Sequence, residues 1–241
     1  MNTLIAALIS TFLVSLLSFI GILSLLSKRT YLNIILTYLI SFAAGVLLGN
    51  AFLHLIPTAA EKISCQIVGT FTLYGMMLFF ILEKFLRHQH HINHHLNIKP
   101  LGFMNLISDA LHNIIDGIAI ATSYLISFEL GITTTIAVMM HEIPQEFADF
   151  GILLHAGFSP LFALLYNFFS GLAALIGVAI VFIFFAQTQL ILIYLIPLTA
   201  GGFIYIAASN LIPELHEYKS LRQSIIQTLF FIAGIGIMKL L

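Results

Sequence analysis

The chain has 241 residues, 60% of them hydrophobic and 8% charged, with a formal net charge of -1. Soluble domains carry about 25% charged residues, so composition excludes an ordinary water-soluble fold and requires lipid to cover much of the apolar surface. The near-neutral balance argues against nucleic-acid binding, which needs a basic face, and the single cysteine, Cys65, cannot form an internal disulfide.

The N-terminal apolar run from Thr3 to Leu26 has no basic stretch before it and exceeds a signal-peptide core, so it reads as a first membrane span. A span takes roughly 20 mostly apolar residues. Charges, prolines and polar clusters divide the chain into eight such segments, at about 3–26, 31–56, 66–86, 102–127, 131–156, 160–185, 189–213 and 221–241. The expected fold is an all-α integral membrane bundle, with residues 1–241 as one transmembrane domain.

Alternating spans place Lys28, Arg29, Lys84, Arg87, Lys99, Lys219 and Arg222 on one side, against Lys62 and Lys239 on the other. The basic side is cytoplasmic, which puts both termini outside. The longest loop, about 87–101, is then cytoplasmic and holds His88, His90, His91, His94 and His95. Clustered imidazoles can bind Zn, Cu or Ni as an accessory site, or form a solvated polar linker.

Two stretches repeat. Ala44-Gly45 leads to Leu55-Ile56-Pro57, and Ala200-Gly201 leads to Leu211-Ile212-Pro213 at the same spacing, with Ala51 matching Ala207. These are spans two and seven, which cross the membrane in opposite directions. Inverted repeats with a site at their interface are a transporter signature, with chance likeness of apolar segments as the competing reading. Spans one to three and six to eight would be inverted copies flanking four and five.

Spans four and five differ from the rest. Span four contains Asp109, His112, Asn113 and Asp116, and span five contains His141, Glu142, Gln145, Glu146 and Asp149. One ionisable group at mid-bilayer costs about 2.5–3.5 kcal/mol, so these five carboxylates would cost on the order of ten kcal/mol unpaired. No Lys or Arg lies in either span, so a bound cation or a watered cavity must compensate. Residues four apart share a helix face. His112 and Asp116 therefore point together with Asn113 beside them, and His141 and Gln145 do likewise with Glu142. If the faces meet, imidazole and carboxylate converge in a set suited to Zn and other late divalent metals, whereas Mg or Ca would favour all-oxygen ligands. Pro144 leaves the Met140 carbonyl without its helical donor, which fits either an ion path or a packing kink.

Other polar groups keep two readings. Asn50 and His54 form an ion's way in from outside, or a hydrogen-bonded structural pair. Asn167 and Ser170 line the path or hold helices together. Glu214, His216 and Glu217 receive departing metal or belong to a solvated loop, and His155 is interfacial.

At these residues the chain resembles the ZIP (Zrt/Irt-like) family of divalent-metal transporters. His112-Asn113-Ile114-Ile115-Asp116-Gly117 resembles the family's fourth-span signature, and His141-Glu142-Ile143-Pro144-Gln145-Glu146 its fifth. His54-Leu55-Ile56-Pro57 and Leu211-Ile212-Pro213-Glu214 resemble the ends of its second and seventh spans. The resemblance covers essentially the whole chain. It implies eight helices arranged three-two-three and import of Zn2+, with Fe2+, Mn2+ or Cd2+ in some members. By motif position, His112, Asp116, His141 and Gln145 would form the principal site, and Asn113 and Glu142 an adjacent one. Gln145 stands where many members have His or Glu, and Asn50 where some have Asp; both changes remove charge or basicity.

The expected function is divalent-metal uptake by alternating access at a plasma or inner membrane, with metal ion and lipid as partners and a homodimer as an open assembly. No enzyme activity is expected. The rival readings are an intramembrane zinc metalloprotease, from the near match of His141-Glu142-x-x-Gln145 to HExxH, a metal sensor that does not transport, and a channel.

Overall fold

The computed structural model describes residues 2–23, 29–92, 99–185, 189–216 and 220–241. Among them there is no strand. The helices follow the chain as α1 (Thr3–Ile22), α2 (29–60), α3 (Cys65–Ile92), α4 (Lys99–Ile126), α5 (Phe128–His155), α6 (160–185), α7 (189–215) and α8 (Leu221–Leu240). Six contain stretches long and apolar enough to cross a membrane: Thr3–Ile22, Thr37–Ala60, Cys65–Lys84, Pro160–Phe184, Ile191–Leu211 and Leu221–Leu240. The remaining pair, α4 and α5, has the length, 28 residues each, but carries the acidic groups inside the bundle.

Apolar side chains cover both the interior and much of the outside. Leu47, Leu55, Ile120, Phe150, Leu153, Ile196, Phe203 and Met238 are fully buried, while Leu73, Ile183, Phe184 and Leu221 project outward. Exposed apolar patches this extensive are foreign to soluble monomers and suit a hydrocarbon surround.

Helices α4 and α5 form an antiparallel pair. Thr134 Oγ1 donates to Ser123 Oγ (2.9 Å), His141 meets Asp116, Gln145 donates to Asp109, and Asn105 donates to Asp149. As numbers rise along one helix they fall along the other. A single residue outside both helices, Ser127, makes the turn; its hydroxyl accepts from the Leu130 amide (3.1 Å) and caps α5, satisfying an amide the helix cannot. Helix α4 also packs on α6 and α5 on α1. Gly117 sets the first of these contacts, because a Cβ there would run into the Ala174 carbonyl.

The outer helices pair as α2 with α8 and α7 with α3, and the repeated stretches lie at these contacts. Gly45 of α2 abuts the Phe231 carbonyl of α8, and Gly201 of α7 abuts the Thr72 carbonyl of α3. Both helices then pass through a π-helical turn before their Ile-Pro, at Ala51–Leu55 and Ile206–Leu211. Such a turn rearranges backbone bonds where proline cannot donate, so α2 runs past Pro57 to Ala60. The polar side chains leaving these turns also correspond. His54 Nε2 donates to the Met238 carbonyl (2.6 Å), and the Asn210 amide, oriented to donate, reaches Glu83 Oε2 (3.2 Å).

Among the described residues, the boundary that differs most from the sequence expectation is the end of α3. Helix α3 continues to Ile92, so His88, His90 and His91 extend a helix rather than begin a loop. The stretch of α3 long and apolar enough to cross a membrane ends at Lys84, before these histidines. His94 and His95 lie outside the described residues.

Candidate metal centre

Near the middle of the α4–α5 pair, four side chains converge. His112 and Asp116 are one turn apart on α4, and His141 and Glu142 are neighbours on α5. His112 Nε2 lies 3.2 Å from His141 Nε2, 3.6 Å from Asp116 Oδ2 and 3.6 Å from Glu142 Oε1. His141 Nε2 lies 3.3 Å from Asp116 Oδ2 and 3.5 Å from Glu142 Oε1. The four atoms all fall within 4.8 Å of one another.

These separations have a simple meaning. Zinc binds nitrogen and oxygen at about 2.0–2.2 Å in a tetrahedron, whose edge is about 1.63 times the bond, or about 3.3–3.6 Å. Five of the six edges here measure 3.2–3.6 Å, all between the same four atoms. Asp116, His141 and Glu142 are each 1% exposed, and His112 is 16% exposed.

Hydrogen bonding agrees. Both carboxylate oxygens of Asp116 and both of Glu142 are buried without a donor, a costly state for charged groups unless something else satisfies them. His141 Nδ1 donates to the Ala137 carbonyl (3.1 Å), which leaves Nε2 with a free lone pair facing the other three donors. Rings of Phe79 and Phe203 stand near His112 and His141, with centroids 6.2 and 6.1 Å away. They give the centre apolar walls on α3 and α7.

The other two motif residues are turned elsewhere. Gln145 Nε2 donates to Asp109 Oδ1 (3.1 Å), and Asn113 Nδ2 donates to the Asp109 carbonyl and Oδ1 (both 3.1 Å). One step further along the pair, Asn105 Nδ2 donates to Asp149 Oδ1 (2.9 Å). Glu146 faces away toward α1 and α6, where Ser18 Oγ donates to it (2.6 Å) and Asn167 Nδ2 donates to its other oxygen. Ser170 donates to the Leu106 carbonyl (2.9 Å), as a tie between helices.

Asn50 is fully buried with neither amide atom partnered; His54, one turn on, is held by Met238. His155 and His216 are exposed. Glu214 lies on a helical turn, but its side chain, those of His88, His90 and His91, and all of Glu217 lie outside the described residues.

Sequence reasoning left out Asn105 as a partner and Asp109 as a hub. The signal was present: Asn105, Asp109 and Asn113 recur every four residues on α4, as do Glu142, Glu146 and, in the next column, Gln145 and Asp149 on α5. Ser18 gave none, being one hydroxyl in an apolar span.

The family model described as "ZIP Zinc transporter" matches residues 1–95 and 87–241. Zinc transporter ZIP13 of Pongo abelii is 36% identical over 223 residues, covering 85% of this chain and 66% of that protein. Zinc transporter ZIP13 of Homo sapiens is 32% identical over 262 residues (85% and 70%). Zinc transporter YKE4 of Saccharomyces cerevisiae is 31% identical over 258 residues (90% and 73%). The chain thus spans about two thirds to three quarters of the length of these relatives.

Proposed function

The chain belongs to the ZIP zinc transporter family, and from that premise we propose that it carries zinc across a membrane through the centre on α4 and α5. The observation that carries this reading is the converging set His112, Asp116, His141 and Glu142, with five of its six separations at 3.2–3.6 Å and acidic oxygens that have no other partner. The ion enters as cargo. Two imidazoles and two carboxylates cancel its charge and replace its water, so the acids are stable in the bundle only while the site can be filled or wetted.

The chain crosses the bilayer eight times in a three-two-three arrangement, termini outside, in a plasma or inner membrane, and moves the ion into the cytoplasm. The excess of Lys and Arg on the side holding Lys84 and Lys99 supports that orientation of the chain. Metal approaches past Asn50 and His54 and leaves toward Glu214, His216 and the His-rich segment. The matching π-helical turns and glycine contacts of α2/α8 and α7/α3 support rigid rocking of these outer pairs about the central one. Fe2+, Mn2+ and Cd2+ compete for the same donors.

Protease chemistry fits less well. Glu142, which would have to be a free general base, is itself one of the four converging donors, and Gln145 faces Asp109. The test is zinc uptake into proteoliposomes. Uptake that saturates and disappears in a His112→Ala, Asp116→Ala double variant supports the reading. Unchanged uptake in that variant, or flux rising linearly with zinc, overturns it.

A further inference from the structure

Two acids that take no part in the centre lie beside it. Asp109 of α4 and Asp149 of α5 are 4% and 8% exposed, and both stand on the side of the centre toward Lys99 and His155. On the other side the helix pair continues with Ala119, Ile120, Ala137 and Val138. The two carboxyls hydrogen-bond to each other across the pair. Two carboxylates cannot make that bond, because an ionised carboxyl only accepts. A proton must lie between them, as in other acids brought into contact.

The remaining partners assign the proton. Asp109 accepts from Gln145 Nε2 and Asn113 Nδ2 (both 3.1 Å), with the Ser170 hydroxyl as a third neighbour. Asp149 has one amide donor, Asn105 Nδ2 (2.9 Å). Donors stabilise the charged form of an acid, so Asp109 is the carboxylate and Asp149 the carboxylic acid. No cation stands in for the proton. Lys99, the first residue of α4, is the only Lys or Arg in α1, α4, α5 and α6. Stretches 37–60, 65–82 and 191–211 of α2, α3 and α7 hold no Asp, Glu, Lys or Arg. The charges acting on the pair are those of Asp116 on α4 and of Glu142 and Glu146 on α5. Helix α6 brings the neutral Ser170 and Asn167 and α1 the neutral Ser18, while the rings of His112 and His141 are turned to the centre.

We infer that Asp149 and Asp109 hold one exchangeable proton, and that this proton and zinc at the centre oppose each other's binding. At 1.5 Å of rise per residue the pair lies roughly 7–11 Å along the helices from the centre, within electrostatic reach in a poorly screened interior. When zinc binds, its two positive charges favour the doubly ionised pair. The Asp149 O–H bond breaks, the proton passes to water, and Asp149 is left as a carboxylate, one proton per ion. Linkage makes the effect reciprocal, so the returning proton loosens the ion. The chain thus holds a proton-linked aid to ion release outside its ligand set. The inference rests on the proposed function in placing zinc at the centre; the shared proton stands on the carboxyl contact.

The experiment counts protons released as zinc is titrated into the detergent-purified full chain at neutral pH, compared with Asp149→Asn. In that variant an amide N–H can donate to Asp109 in place of the shared proton. The unaltered chain should release about one proton more per zinc, and its Kd should change with pH more steeply by about tenfold per unit. Equal release and equal slopes in the two proteins would overturn the proposal. Should Asp149→Asn not purify, infrared difference spectra of the unaltered chain decide. Zinc must remove a protonated-carboxyl C=O band, and that band must shift in Asn105→Ala, which takes away the amide donor of Asp149. No such band, or one indifferent to Asn105→Ala, overturns the proposal. Liposome uptake separates the readings. Saturable uptake without the extra proton overturns the linkage alone, and proton release on zinc binding without uptake overturns transport alone.

Discussion

Replacing His141 by alanine removes one of four donors from the centre and tests its composition directly. Four-ligand zinc sites bind with roughly 10–16 kcal/mol. An equal share per ligand is about 2.5–4 kcal/mol, or roughly a 10²–10³-fold loss of affinity at 1.4 kcal/mol per tenfold. His141 is 1% exposed, its Nδ1 is engaged by Ala137 and its Nε2 meets three other donors, so no neighbour can substitute for it. Gln145→Ala is the matched control: same helix, one turn away, same motif, but its amide binds Asp109 instead of facing the centre. Chelator competition with the purified chain should give a 10²–10³-fold weaker Kd for His141→Ala and less than a tenfold change for Gln145→Ala. Equal losses in both variants would refute the four-atom assignment and return Gln145 to the site that motif position implies.

Further outcomes are as specific. Lowering pH should weaken zinc binding, because protons compete for two imidazoles that must be neutral to bind; pH-stepped uptake checks it, and binding that strengthens in acid contradicts it. Gly117→Val should destabilise the fold by at least ~1–3 kcal/mol, since the added side chain meets the Ala174 carbonyl where α4 and α6 cross; thermal melting in detergent reads the loss. Ser18→Ala removes a donor from buried Glu146 and should cost about 1.5–3 kcal/mol of stability while leaving zinc affinity at the centre within a few-fold. Glu142→Gln, nearly isosteric, should reduce affinity at least tenfold and abolish uptake. Retained uptake would remove Glu142 from the donor set.

Much of this was legible in the sequence because the membrane constrains it so strongly. Apolar runs interrupted by Lys, Arg and Pro mark the helices, and acids without basic partners mark the two that matter. The i,i+4 pairing of His112 with Asp116 shows in spacing alone. What spacing could not settle was which neighbour on α5 completes the set. Gln145 shares a helix face with His141, yet Glu142, a residue away, lies 3.5–3.6 Å from both imidazoles while Gln145 is held by Asp109. Such choices depend on hydrogen bonds between helices, such as Asn105 to Asp149 and Ser18 to Glu146, and no periodicity within one helix encodes them. The extension of α3 to Ile92 was hidden for another reason: His88, His90 and His91 are polar enough to suggest a loop, but helix propensity does not require apolar side chains.

Anomalous diffraction from zinc-soaked crystals tests the centre most directly. One peak is expected at about 2.0–2.2 Å from His112 Nε2, Asp116 Oδ2, His141 Nε2 and Glu142 Oε1. Density that omits both histidines, or no density between α4 and α5 at saturating zinc, would contradict the assignment.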